Sequence, residues 1–232
     1  MEVSTIYNGI LNDGTNYTIR KLALNDLDNI LQLQRIVAET LMNKETLQTL
    51  SEQEYQYILN GKGLLLGAFI EEELIAFRAL MVPPIDGEHL GLAVGLEKEL
   101  DQIIYQEISM VNSKYRGNRL QQQLGQLIME TLNKSSASFK YVCCTVAPSN
   151  IPSLKDKFNQ GMMVGALIEI YSGKLRYVFV KKIKESEKPQ WNKTKKVPTD
   201  QIEEQQKLLQ DGWHGYKLEQ NDNQYFVLYG KL

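Results

Sequence analysis

Cysteine is nearly absent from this chain: among 232 residues there are two, Cys143 and Cys144, adjacent inside an apolar run. An alternating strand sends neighbouring side chains to opposite faces, so the pair is not placed to bridge, and a disulfide-stapled secreted scaffold is excluded. A reducing, cytoplasmic setting is the expectation. Histidine is equally scarce, and His89 and His214 lie far apart with no cysteine or carboxylate cluster at ligand spacing. No metal site is read, and both histidines are expected at the surface or in loops. Long apolar runs are missing too. Stretches such as Leu64–Leu66 and Ala79–Pro84 fall far short of the roughly 20 residues that span a bilayer, and the first four residues lack a basic and then apolar export signal. No membrane partner is expected. Nor does one sign of charge dominate: 26 Lys and Arg face 28 Asp and Glu. Without a basic field to engage a phosphate backbone, nucleic acid is not an expected partner.

What is present is a globular composition, 43% hydrophobic and 23% charged, in a chain long enough to bury a core. Residues 17–22 alternate as a strand, and Asn25 can cap a helix with Leu27, Ile30, Leu33, Val37 and Leu41 on one face. Ser51 and Glu54 form a capping box before a short helix that Gly61 stops. Two β-rich runs, 64–70 and 74–82, flank Glu71–Glu73 as a hairpin, with Pro83 and Pro84 ending the second. A helical or irregular stretch is read at 96–100. A strand at 103–111, a helix with Leu120, Leu124, Leu127, Ile128 and Leu132 on one face, and a strand at 141–146 make a βαβ unit, which places its strands parallel. Asn150 caps a short helix ending at Gly161, and 164–171 with 175–180 read as a hairpin. Seven lysines and two prolines then mark 184–198 and its approach as a solvated connector, before a helix to Gln210, capped at Thr199, and a last hairpin around 221–223. The domain reading is 1–183 as the main domain, 184–198 as a connector, and 199–232 as an extension packed on the core.

Chemistry concentrates between Glu107 and Glu130: a strand, a basic turn with Arg116 and Gly117, then an amphipathic helix. Free N–H groups at a helix N-terminus, with the positive end of its dipole, suit a phosphate or pyrophosphate. Alternation along the strand puts Tyr105, Glu107, Ser109 and Val111 on one face, unless a bulge changes the phase.

The order of elements over residues 17–182, together with these motifs, resembles the GNAT acyl-CoA N-acyltransferases. Residues 111–120 are similar to the family's pyrophosphate motif, and Asn150, Ser153, Leu154 and Gly161 to its second motif. The resemblance implies an α/β fold with a mixed, mostly antiparallel sheet, a splayed parallel strand pair and flanking helices. It implies acetyl-CoA as acyl donor, no metal, and direct attack by a primary amine of a small molecule or peptide; a homodimer is compatible with it. Met110 and Val111 would pair with pantetheine. Arg116, Gly117, Asn118, Arg119, Leu120 and Gln121 would cradle the pyrophosphate, and Asn150 and Ser153 would line the opposite wall. Glu107 is the candidate base, with Tyr105 or a water chain as its substitute.

Three positions depart from the family pattern. Arg119 stands where the family usually has Gly and Gln121 where it has Gly or Ala, so a guanidinium either pairs with a phosphate or blocks it. Lys157 occupies the position of a Tyr that protonates the leaving thiolate, either as its replacement or as a solvated helix lysine. These departures motivate an alternative reading, an acyl-CoA-binding sensor or interaction domain without turnover.

Overall fold

The computed structural model describes residues 4–40, 47–135, 139–184 and 189–232. In chain order these form β1 (Thr5–Ile10), β2 (Asn16–Lys21), α1 (Leu27–Thr40), α2 (Glu52–Tyr57), β3 (Gly63–Ile70), β4 (Glu73–Met81), α3 (Leu90–Ala93) and β5 (Ile103–Val111). Then come α4 (Leu120–Lys134), β6 (Tyr141–Val146), α5 (Ile151–Asn159), β7 (Met163–Ile170), β8 (Lys174–Lys182), β9 (Lys193–Pro198), α6 (Ile202–Gln210), β10 (His214–Asn221) and β11 (Gln224–Lys231). Contacts divide the chain into two units, one of residues 1–82 and 104–138, the other of 83–103 and 139–232.

In the first unit the strands neighbour one another in the order β1-β2-β3-β4-β5, every pair antiparallel. The apolar stripe of α1 buries Ile30, Leu33 and Val37 among Tyr55, Ile58, Leu65, Phe69, Phe77, Ile108 and Met110. Each such side chain contributes about 1.5–3 kcal/mol by leaving water. Leu41 lies outside the described residues. The expected capping box is present: Ser51 accepts from the Glu54 amide, and Glu54 Oε2 accepts from the Ser51 N–H at 2.7 Å. The Asn25 cap is replaced. A short 3₁₀ turn at Leu24–Asp26 precedes α1, and Asp26 Oδ2 accepts from the Ala23 N–H at 2.8 Å while pairing with Arg20. β1 was not anticipated; it pairs with β2 around a turn closed by Leu11 N–H donating to Thr15 O at 2.8 Å.

The second unit orders its strands β6-β8-β7-β10-β11-β9, again antiparallel throughout. Cys143 and Cys144 are both buried in β6 and form no disulfide with each other. Residues 96–100, read as helical or irregular, are irregular; a single turn, α3, lies earlier, with a 3₁₀ turn at Leu100–Gln102. His89 is not at the surface: it is 3% exposed and its Nδ1 accepts from the Gly91 N–H at 3.0 Å, capping α3. Part of the lysine-rich stretch is a strand, because Lys193–Pro198 completes a ladder with β11. Residues 199–232 supply α6 and the β10–β11 hairpin, and α6 begins after Gln201, not at Thr199. They pack on β7 and β8: Gln206 Nε2 donates to Leu167 O at 3.0 Å, and buried Gln205 accepts from Tyr177 and Tyr229.

The class is the expected α/β one, with mostly antiparallel strands and flanking helices. β5 and β6, for which the sequence predicts a parallel pairing, fall in different units. Among the described residues no helix is long and apolar enough to cross a membrane.

Candidate active site

β5 ends at Val111, and the chain is turned sharply over the next eight residues. The Asn112 N–H donates to Ile75 O at 2.9 Å, and its side chain accepts from the Lys114 N–H, opening a 3₁₀ turn at Ser113–Tyr115. Gly117 then takes φ +85°, and Arg119 takes φ 57° and ψ 18°. The left-handed region costs a non-glycine residue roughly 1–2 kcal/mol, so the backbone keeps a glycine-type conformation without a glycine. α4 begins at the next residue and buries the predicted face, Leu120, Leu124, Leu127, Ile128 and Leu132.

The result is a helix N-terminus on a strand-to-helix turn, whose first amides have no intrahelical acceptors. Arg116, Gly117 and Arg119 are exposed around it, and Leu120 is buried beneath. The Asn118 side chain is engaged within the turn, accepting from the Asn12 N–H at 2.8 Å and donating to Tyr115 O at 3.0 Å, which leaves its backbone for any ligand. Beneath α4, Arg78 is 1% exposed; its guanidinium donates to Gln121 O at 3.1 Å and to Gln106 Oε1 at 2.6 Å. A buried cation under the first turn makes its potential more positive still.

The expected polar row on β5 is corrected by a register slip. Ala79 pairs with Ile108 and Leu80 with Gln106, so Glu107 is the extra residue of a bulge. Directly opposed residues share a face, which puts Gln106, Ser109 and Val111 with Arg78, and Tyr105, Ile108 and Met110 with Phe77, Ala79 and Met81. Ile108 and Met110 are thereby core residues of the α1 side. Glu107 stands apart from Ser109 and Val111. Burial pushes its carboxyl up to about 7, and the Glu54 carboxylate on α2 adds to the rise. Tyr55, on the same helix, is held well above the ordinary phenol range by burial and by the charges of Glu54 and Glu107. Burial and like charge both favour the proton, and together they bring a carboxylic acid near neutrality.

The second motif lies in the other unit. Asn150 caps α5 by accepting from the Ser153 N–H at 3.2 Å, with Pro152 in the first turn and Leu154 buried. Lys157 is not a solvated lysine: it is 7% exposed, and its ammonium lies 3.2 Å from Asp156 Oδ2, which also accepts from Gln160 at 2.9 Å.

Three participants escape a sequence reading. Arg78 carries a weak signal, a lone charge inside the apolar run 74–82. Asn12 sits in an Asn-Asp-Gly turn between β-rich residues, a hairpin signal that says nothing of a contact with Asn118. Glu54 is visible only as a capping residue.

No protein-family model matches the chain, and no curated protein matches it by sequence. Solved structures do. An N-acetyltransferase of Staphylococcus aureus Mu50 superposes with a TM-score of 0.55 at 13% identity, covering 73% of this chain and 99% of that one. The GNAT domain of S. lividans PAT gives 0.52 at 16% identity over 75% and 96%. Arabidopsis thaliana NAA60, solved in complex with acetyl-CoA, gives 0.53 at 17% identity over 73% and 99%. The chain therefore has the GNAT acyl-CoA N-acyltransferase fold, and its structural neighbours are acetyltransferases, some of them holding acetyl-CoA.

Proposed function

We propose that the chain is an acyl-CoA-dependent N-acyltransferase that moves an acetyl group from acetyl-CoA to a primary amine. The observation that carries this reading is the turn before α4: in a GNAT fold, Arg119 adopts the left-handed backbone of the glycine it replaces, and the residue is exposed. Strain of this kind persists where the conformation itself is used. The residues fit a diphosphate, with backbone amides of Gly117–Gln121 as donors and Arg116 as a charged arm. Met110 and Val111 remain the proposed backbone partners of pantetheine.

Acetyl-CoA supplies the activated acyl group as a thioester. Glu107 takes a proton from the ammonium of the acceptor, the freed amine forms the new C–N bond at the acyl carbon, and the C–S bond breaks as the departing thiolate takes up the second proton that the nitrogen sheds. A carboxyl near 7 is matched to that task, since it is substantially ionised at neutral pH yet basic enough to hold the proton. Lys157 is assigned no step, because its ammonium is already paired with Asp156.

A thermal-shift titration with CoA and a thiol-release assay with acetyl-CoA across a panel of primary amines test the reading. CoA at about 100 times its dissociation constant adds about 2.7 kcal/mol to the native state. Stabilisation together with acceptor-dependent thiol release is expected. Stabilisation with no turnover over a broad panel would favour the sensor reading; no stabilisation at millimolar CoA would overturn both.

A further inference from the structure

The turn that carries the proposed diphosphate site does not hold itself. Its tie comes from a loop 106 residues earlier in the chain, between β1 and β2, where the Asn12 N–H donates to Asn118 Oδ1 at 2.8 Å. Asn12 Nδ2 donates in addition to Gly117 O at 3.3 Å. The loop offering these donors is itself fixed. Gly14 N–H donates to Leu11 O at 3.0 Å, Thr15 N–H donates to Asp13 Oδ1 at 2.9 Å, and Leu11 is a buried anchor, 4% exposed. On the other flank Tyr115 donates its hydroxyl to Glu73 Oε2 at 3.1 Å, at the start of β4. The two left-handed residues, Gly117 and Arg119, lie at and directly after these ties.

We infer that Asn12 and Asn118 form a clasp by which the N-terminal hairpin pre-shapes the diphosphate turn, Asn12 acting as a positioning residue for a donor it does not touch. This rests on the acyl-CoA reading. A backbone held in a sparsely populated conformation needs surroundings that over-determine it, and a turn already in its binding shape spends no affinity on ordering when the anion arrives. Both asparagine bonds end on the residues immediately before Arg119. Releasing them lets Arg119 relax out of the left-handed region and swings the first amides of α4 away from a common target. The hairpin thus has a purpose beyond extending the sheet: it lends a rigid edge to a turn whose own sequence, with Arg in place of Gly, disfavours the required shape.

The test is calorimetric titration of the full chain with CoA and, separately, with pantetheine, which lacks the diphosphate. Asn12→Ala removes only the Nδ2 bond and should weaken CoA about 3-fold; Asn118→Ala removes the bond from the Asn12 N–H and the Tyr115 contact, leaving the Nδ2 bond to Gly117 O, and should weaken it about 10-fold. Pantetheine affinity should be unchanged in Asn12→Ala, and its melting temperature without ligand should stay within about 2 °C of wild type. Equal losses toward CoA and pantetheine would mean general loosening and overturn the clasp. So would wild-type CoA affinity in both variants. If Asn118→Ala does not fold, Asn12→Ala decides alone. Wild type that binds no CoA would sink the acyl-CoA reading itself, an outcome distinct from wild type that binds and variants that bind as well.

Discussion

Gln205 and Glu107 are polar side chains set against strands in different units, and their surroundings treat them in opposite ways. Gln205 is wholly buried, and every polar atom it has is used: Oε1 accepts from Tyr229 at 2.9 Å and from Tyr177, while Nε2 donates to Pro198 O and Thr199 O at 3.1 Å. It joins α6 to β8, β9 and β11, and such a satisfied network rigidifies what it joins. Glu107 sits on a bulge, and the influences on its carboxyl, burial first and the Glu54 charge second, both work against ionisation. One site converts polarity into stability. The other holds a charge at some cost, which is what a group meant to exchange protons requires.

The largest expected effect comes from breaking the satisfied site. Gln205→Leu takes one partner from each of two buried tyrosine hydroxyls and from the Pro198 and Thr199 carbonyls and should destabilise the second unit by about 3–5 kcal/mol, read as a lower urea midpoint. An unchanged midpoint would mean that the network contributes nothing net.

Next is Glu107→Gln, expected to lower turnover about 100-fold at pH 7 with CoA affinity retained. In wild type, turnover should fall as pH drops through about 7, where the base gains its proton. The stability effect has a definite sign as well. A carboxyl whose folded pKa lies above its unfolded value favours the native state below the unfolded value, and that contribution is lost as pH rises toward the folded one. Between about pH 4.5 and 7 wild type should therefore lose stability relative to Glu107→Gln. A melting difference that does not vary with pH would remove the perturbed carboxyl from the argument.

A smaller, stabilising change is expected at Arg119. Arg119→Gly relieves the left-handed backbone and should raise stability by about 1 kcal/mol, or roughly 2–4 °C in melting temperature. Since the side chain faces solvent, CoA affinity should move little; a marked gain would show that the guanidinium blocks the turn, and a marked loss that it grips a phosphate. Smallest of all, Glu54→Gln removes the secondary cause of the Glu107 shift and should move the pH–rate limb slightly toward acid.

Much of this was legible in the chain before any coordinates. The α4 face, the capping box at Ser51, the cap at Asn150 and the hairpin of β7 and β8 follow from local periodicity and capping chemistry, and tertiary packing did not override them. The candidate site was legible as a strand, turn and helix. Its phase was not, because a bulge is a relation between two strands, and nothing in residues 103–111 alone says which residue β4 leaves unpaired. The roles of Arg78 and Asn12 were not legible for a related reason: their partners lie 43 and 106 residues away. Lys157 looked solvated because lysine usually is, and only the fold reveals that its helix face is covered.

The adjacent thiols of β6 have a practical consequence. Both are buried, which shields them from a disulfide reagent in the native chain, and burial pushes Cys143 well above the usual thiol range, so that thiol also stays protonated. A thiol-release assay on this protein should begin from a flat baseline, every unit of colour reporting free CoA. The same silence makes the pair a clock. Left with reagent and no substrate, Cys143 and Cys144 become available only when the sheet that covers them opens, and the slow rise of colour measures how often the second unit breathes.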